Sequence, residues 1–135
     1  MTAPSFAEIA DAKYILLTTF TKDGRPKPTP IWAAPRGDSL VVITGEESWK
    51  VKRIRNTSRV TLAKCDRSGN PKGEAIEAVA AILDKAANNA TYDAIADRYG
   101  LLGKTMRLFG KLRGGLKNNV TIELTPSQST PGKTV

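Results

Sequence analysis

Histidine is absent from the 135-residue sequence, and cysteine occurs once, as Cys65. Without histidine, the chain has no imidazole general base, no Ser-His-Asp triad and no imidazole ligand for a metal. A single cysteine excludes an internal disulfide and gives no zinc-site spacing, and no cluster of carboxylates offers a hard-metal site. We therefore predict no metal site, and any difficult chemistry would belong to a bound cofactor.

Long hydrophobic runs are also missing. No segment approaches the roughly 18 apolar residues that a membrane-spanning helix needs, and the first eleven residues carry no basic leader. The length is that of one domain, which at this size often gains further burial by pairing with a copy of itself. We predict a cytoplasmic protein with one domain over residues 1–125 and a mobile tail over residues 126–135, rich in proline, serine and glycine.

Positive charge is concentrated in two segments. The net charge is +8, yet residues 50–59 and 98–117 together hold 11 of the 21 basic groups and no acid. Such clusters favour an anionic partner: nucleic acid, a lipid headgroup or a phosphorylated cofactor. Aromatic residues make up only 6% and are not interleaved as base-stacking platforms, so we predict no nucleic-acid partner.

The pattern of predicted elements indicates a mainly β protein. β-Branched and aromatic segments alternate with turns such as Asp23-Gly24, and short helices stand between strands. Strands are predicted over 14–20, 27–32, 40–44, 59–63 and 120–124, and helices over 6–11, 49–56, 88–99 and 101–112. Residues 73–83 fit a helix by propensity and a strand by alternation, and the residues alone do not decide between them. This order favours a small antiparallel barrel.

Prolines stand at three alternate positions around the second strand, Pro26, Pro28 and Pro30. Proline cannot donate to a sheet ladder, so this strand is expected at an edge. One interpretation is that the N–H groups of Lys27, Thr29 and Ile31 face a planar ligand. The other is that the prolines protect an edge strand from aggregation.

The helix that begins after Ser48 is the strongest candidate for an anion site. A helix N-terminus offers unpaired N–H groups and a partial positive charge. The Ser48 hydroxyl and the side chains of Lys50, Lys52 and Arg53 can add charge-assisted hydrogen bonds. The alternative is a solvated helix face. The second basic segment, with Lys104, Lys111 and similar residues among leucines, resembles a membrane-surface helix, or one that packs on the domain.

Several motifs together resemble a known family. The sequence reads T-x-x-x-x-G-x-P-x-x-x-P-x-W from Thr19 to Trp32, then Ser48-x-Lys50 on the basic helix, and Arg59-Val60. This combination resembles the flavin- and deazaflavin-dependent split-barrel oxidoreductases, relatives of pyridoxamine 5′-phosphate oxidase. The segment from Tyr99 with its basic continuation is most similar to the actinobacterial branch that uses coenzyme F420. The resemblance covers nearly the whole chain, from residue 6 to residue 124.

The resemblance implies a six-stranded antiparallel split β-barrel of the FMN-binding type, with flanking helices. It implies a homodimer with two cofactor sites at the interface, and it makes residues 73–83 a strand. The ring of the cofactor would lie along residues 27–32, and its phosphate would be held at the N-terminus of the basic helix. The implied cofactor-binding residues are Thr29, Pro30, Ile31, Trp32, Ser48 and Lys50, with Lys52 and Arg53 as less secure second contacts.

The implied activity is hydride transfer from reduced F420 to a small electron-poor organic substrate. F420 carries a lactyl-oligoglutamate tail beyond its phosphate, and the second basic segment fits this longer anion better than it fits FMN. FMN remains the alternative cofactor, and a non-catalytic F420 carrier is the alternative function.

One departure argues against pyridoxamine-phosphate oxidation itself: the C-terminus lacks the basic and histidine residues that would hold the substrate phosphate. No side chain is an obvious proton donor, which leaves solvent, Tyr92 or Tyr99.

Overall fold

The computed structural model describes residues 4–99 and 118–127. Helix α1 (Phe6–Ala10) begins at the predicted capping box, in which Ser5 and Glu8 bond each other's backbone. Helix α2 is Trp49–Asn56, a 3₁₀ turn covers Lys85–Ala87, and the described part of helix α3 covers residues 88–99. The strands are β1 (Ile15–Phe20), β2 (Pro26–Ile31), β3 (Ala34–Arg36), β4 (Ser39–Gly45), β5 (Arg59–Lys64), β6 (Ile76–Ile82) and β7 (Asn119–Pro126).

The strands form one antiparallel sheet in the order β2-β1-β5-β6-β7-β4-β3. The mainly β architecture with flanking helices is confirmed, but the predicted count of six strands was wrong by one. The extra strand, β3, exists because the chain leaves the sheet after Ile31 and re-enters it at Ala34. Gly37, with φ +61°, then makes the turn that pairs β3 with β4.

The sheet curls around a single apolar interior. Alternate residues of β1, β5 and β6 point inward and are buried, including Leu17, Leu62 and Ala80. Ile9 from α1 and Val51 from α2 join the same cluster. Ile31 at the end of β2 and Val42 on β4 belong to it as well, so the two ends of the open sheet approach each other and the barrel is partly closed.

The uncertain segment from residue 73 to residue 83 contains a strand, as the resemblance implied. Ala78 and Ala80 are buried, whereas their neighbours in the strand, Glu77, Val79 and Ala81, are exposed. This period of two matches a strand with one face on a core, and pairing with β5 and β7 outweighs helix propensity here.

Helix α3 covers the outer face of one half of the sheet. Ile95 packs with Val41, and a buried polar cluster joins the helix to β7. There Thr121 Oγ1 lies 2.9 Å from Thr91 Oγ1 and donates to Asn88 Oδ1 at 3.0 Å. The outer face of the other half, β2-β1-β5-β6, has no such cover among the described residues: Val79 and the prolines of β2 are exposed.

Strand β7 ends at Pro126, two residues beyond the predicted end at Leu124. The predicted helix over 101–112 and residues 128–135 of the predicted tail lie outside the described residues. Within residues 4–99 and 118–127, none of the helices is long and apolar enough to cross a membrane.

Candidate functional site

A cleft opens where β2 and β4 approach each other, and Lys50 reaches it from the first turn of α2. We call it the Lys50 cleft; its volume is about 240 Å³, and it is lined by Pro30, Ile31, Trp32, Val42, Ile43, Thr44, Lys50 and Ile95. Of these described lining residues, Lys50 alone is charged. An apolar wall with one cation suits a planar, mainly apolar ligand that carries an anionic group.

The turn after β4 and the cap of α2 fix the position of Lys50. The turn after β4 is held by hydrogen bonds from Glu46 N to Asn118 O at 2.9 Å and from Ser48 N to Gly45 O at 3.1 Å. Ser48 then caps α2, its Oγ accepting from Val51 N at 3.4 Å. The first-turn amides of Trp49 and Lys50 have no partner within the helix, as at every helix start. The Ser48 hydroxyl still has its own proton to donate.

Burial and charge both act on Lys50. The side chain is half-buried, and its pKa is lowered from the ordinary value first by desolvation and then by the positive charge of Arg53. Both effects penalise the ammonium form in the free protein. An anion in the cleft would relieve that penalty.

The predicted residues Lys52 and Arg53 are not among the lining of the cleft. Lys52 is exposed, with its Nζ 4.7 Å from the ring centroid of Trp49. Arg53 donates to Thr19 Oγ1 at 3.4 Å. Of the eight predicted binding residues, the cleft therefore contains Pro30, Ile31, Trp32 and Lys50, while Ser48 lies next to it as the helix cap, and Thr29, Lys52 and Arg53 lie outside the lining.

Of the two interpretations of the alternate prolines, the sheet agrees with the protected edge strand and not with N–H groups of β2 that face a ligand. β2 is an edge strand, as expected, and it pairs with β1 in the register Leu17↔Thr29. Since the intervening prolines cannot donate, the N–H groups of Lys27, Thr29 and Ile31 are the ones that can serve this ladder. They therefore point to β1, and the prolines occupy the open edge.

The segment beside Trp32 is held by two residues of α3, Arg98 and Tyr99, of which only Tyr99 was named from the sequence, as a possible proton donor. Tyr99 Oη donates to Lys13 O at 2.7 Å and accepts from Ala33 N at 3.3 Å. Arg98 donates from Nη1 to Ala33 O at 3.0 Å and from Nη2 to Ala12 O at 2.9 Å. These bonds replace sheet pairing at Ala33, which explains the break between β2 and β3. The sequence carries no signal for these hydrogen bonds, because Arg98 and Tyr99 lie 65 and 66 residues from Ala33 in the chain and so form no local motif with it.

Both candidate proton donors are engaged inside the fold. Tyr92 Oη accepts from Asn119 Nδ2 at 3.0 Å, and Tyr99 Oη has the bonds described above. Burial raises the pKa of both phenols. Neither tyrosine is among the described residues that line the cleft.

Comparison with known proteins agrees with this geometry. Solved structures with the same fold include the heme storage protein HutZ of Vibrio cholerae, at TM-score 0.65 and 14% identity over 91% of this chain and 88% of that one. A conserved hypothetical protein of Mycobacterium tuberculosis has TM-score 0.65 and 22% identity, over 98% and 96% of the two chains. An F420 reductase has TM-score 0.60 and 20% identity, over 93% and 96%.

No curated protein sequence matches the chain significantly. The sequence profile of pyridoxamine 5′-phosphate oxidase, however, matches residues 2–130 and so covers nearly the whole sequence. The curled antiparallel sheet agrees with the fold of that family. The chain therefore belongs to the pyridoxamine 5′-phosphate oxidase family of split-barrel proteins.

Proposed function

We propose that this chain is a reductase that binds reduced coenzyme F420 and delivers a hydride to a small electron-poor organic substrate. The observation that carries the proposal is the Lys50 cleft, in which one cation at a helix start adjoins an apolar wall. The similarity of fold to an F420 reductase supports the choice of cofactor. Bound F420 would supply the hydride chemistry, for which the chain itself has no redox group.

The chain's own contribution would be binding, orientation and exclusion of water. Lys50 and the first-turn amides of α2 would hold the phosphate, with the Ser48 hydroxyl as a further donor. The ring would lie on the side of Ile31 and Trp32, whose position is fixed through Tyr99. The apolar wall lowers the local dielectric, so the charge of Lys50 would act more strongly on the phosphate than it would in water.

We further propose that the working unit is a homodimer. At about 240 Å³ the cleft is below the usual range of ligand pockets, roughly 300–1,000 Å³, so the described residues of one chain would form only part of a site for a large cofactor. Within residues 4–99 and 118–127 nothing covers the outer face of β2-β1-β5-β6, which carries Leu16, Phe20 and Val79. A second copy on this face would bury apolar surface and complete the wall of the cleft.

Fluorescence titration of the full chain with oxidised F420, and a parallel difference spectrum with FMN, tests cofactor choice. We expect saturable binding of F420 that is tighter than that of FMN, and weaker binding by Lys50→Met. Tighter FMN binding would make the protein an FMN-dependent oxidoreductase instead. Binding of neither cofactor would refute the assignment.

Turnover separates a reductase from a carrier. Reduced F420 is mixed with catalytic amounts of protein and a panel of quinones, enones and imines, and its reoxidation is followed by absorbance. The expected result is acceptor-dependent oxidation that Lys50→Met slows. If F420 binds but no acceptor oxidises it faster than the protein-free control, the carrier function replaces the reductase.

A further inference from the structure

A second basic cavity surrounds the only cysteine of the chain. We call it the Cys65 cavity; its volume is about 360 Å³, and its lining is Ala12, Lys13, Tyr14, Lys64, Cys65, Asp66, Arg67 and Lys72. It shares no lining residue with the Lys50 cleft. Four of its eight lining residues are cations and one is an acid.

The single acid, Asp66, offsets one of the four positive charges, and its hydrogen bonds fix it in the loop. Asp66 Oδ1 accepts from the backbone N–H groups of Ser68 and Asn70, each at 2.9 Å, and Oδ2 accepts from Asn70 Nδ2 at 2.9 Å. These hydrogen bonds, that of the Asn70 side chain first, lower the pKa of Asp66. The carboxylate is thus committed to shaping the turn, where Gly69 has φ +92°.

The backbone holds two of the cations next to each other. Lys72 N donates to Lys64 O at 2.8 Å, and Cys65 forms an antiparallel bridge with Pro71. Like charges facing each other across a hairpin are destabilising. Elsewhere the fold pairs such charges: Arg59 binds Glu77 through two bonds of 2.7 and 2.8 Å. Among the described residues, no ion pair involves the four cations of the Cys65 cavity.

We propose that the Cys65 cavity binds a small anion with two or more negative groups, of phosphate or carboxylate type, at a site separate from the Lys50 cleft. Such an anion would neutralise the repulsion between Lys64 and Lys72 and accept from the planar fork of Arg67. The aliphatic and aromatic wall of Ala12 and Tyr14 would limit competition from water. One negative group would leave most of this charge uncompensated, so a multivalent anion fits best.

Cys65 reports on occupancy, because it is the only thiol in the chain. Its side chain is buried and its thiol pKa is raised, first by desolvation, so its thiolate reacts slowly with added alkylating agents and serves as a probe. The experiment measures the alkylation rate of Cys65 in the full chain with neutral iodoacetamide by intact mass. Tripolyphosphate and citrate are titrated separately, against sodium chloride of equal ionic strength.

We expect saturable protection by at least one multivalent anion, about tenfold at ten times its Kd if the bound protein does not react. Protection by tripolyphosphate alone assigns a phosphate-class ligand, and protection by citrate alone assigns a carboxylate class. Equal protection by both assigns charge as the main determinant. Protection by neither beyond the chloride control overturns the proposal.

Variants locate the bound anion. Arg67→Ala/Lys72→Ala should abolish the protection, whereas Lys22→Ala/Arg55→Ala, with the same loss of net charge, should keep it. Lys50→Met should also keep it. Protection that survives the first double variant, or is lost with Lys50→Met, would overturn a separate site at Cys65. None of these outcomes depends on F420 binding, so failure here leaves the proposed function untouched, and the reverse also holds.

Discussion

The phenol ring of Tyr99 stacks on the indole of Trp32, with the ring centroids 4.5 Å apart and the planes within 9°. The hydroxyl of the same tyrosine bonds the backbone at Ala33, next to Trp32, and at Lys13, just before β1. One residue of α3 thus sets both the plane of Trp32 and the point at which β2 ends. The wall of the Lys50 cleft is therefore built by tertiary contacts as much as by its own strand.

Replacing Tyr99 by phenylalanine separates these two roles. Tyr99→Phe keeps the stack but leaves buried backbone groups at Ala33 without the hydroxyl, which should lower the free energy of unfolding by about 1–3 kcal/mol. Urea denaturation measures this loss, with Tyr14→Phe as the control. F420 affinity should change by less than about twofold, because the ring still supports Trp32. Unchanged stability of Tyr99→Phe would show that the hydroxyl does not hold this wall.

The strands and their order of succession were largely predictable from sequence, because alternation and turn residues are local signals. Lys50 was predictable for the same reason: Ser48 caps a helix that directly follows a strand, so the first-turn lysine must lie at that helix start. The division between β2 and β3 was not predictable. It depends on Arg98 and Tyr99 bonding Ala33 across more than 60 residues of chain.

The orientation of β2 was left open by the sequence for a different reason. Alternating prolines show that one edge of a strand cannot donate, but they do not show which edge has the neighbour. The register with β1 decides it, and that register is a property of the assembled sheet. The interpretation with N–H groups free for a ligand reversed the two edges, whereas that of a protected edge strand agrees with the register. Lys52 and Arg53 lie outside the lining of the cleft because a helix spreads consecutive residues around its axis, so only some face the cleft.

The lowered pKa of Lys50 predicts a specific pH dependence of F420 binding. Desolvation and Arg53 lower this pKa in the free protein, whereas a bound phosphate raises it. Binding therefore takes up a proton between the two values, and affinity falls as pH rises through that window. Titrations at a series of alkaline pH values measure the effect.

Variants at this position give the matching controls. Lys50→Met should weaken binding at neutral pH by about tenfold, because a charge-assisted bond is lost, and should flatten the alkaline dependence. Lys50→Arg should keep affinity to higher pH, since guanidinium does not deprotonate. Lys22→Met, at an exposed lysine in the β1–β2 turn, should behave as wild type. An alkaline loss that persists in Lys50→Met would assign the titration to another group.

The buried polar cluster between α3 and β7 should contribute measurably to stability. Thr121 is fully buried, and its hydroxyl contacts both Thr91 and Asn88. Thr121→Val keeps the shape but leaves those partners without a bond, at a cost of about 1–3 kcal/mol in unfolding free energy. Chemical denaturation measures it, and Thr61→Val, on the outer face of β5, should stay within about 0.5 kcal/mol of wild type. Equal effects of the two variants would contradict a structural role of this cluster.

The exposed face of β2-β1-β5-β6 gives a test of the proposed homodimer. Val79 is 37% exposed there, and Leu16 lies on the same face of β1, where it pairs with Ala63 of β5. If a second copy covers this face, Val79→Asp and Leu16→Glu would bury an unpaired carboxylate and raise the dimer Kd by at least about tenfold. Size-exclusion chromatography with light scattering, over a range of concentrations, measures the shift.

Ala86→Asp, exposed in the 3₁₀ turn, is the control and should remain dimeric. F420 affinity should fall together with dimer content in the two face variants, because the partner would complete the cleft; dimers that persist in both variants would place the interface elsewhere.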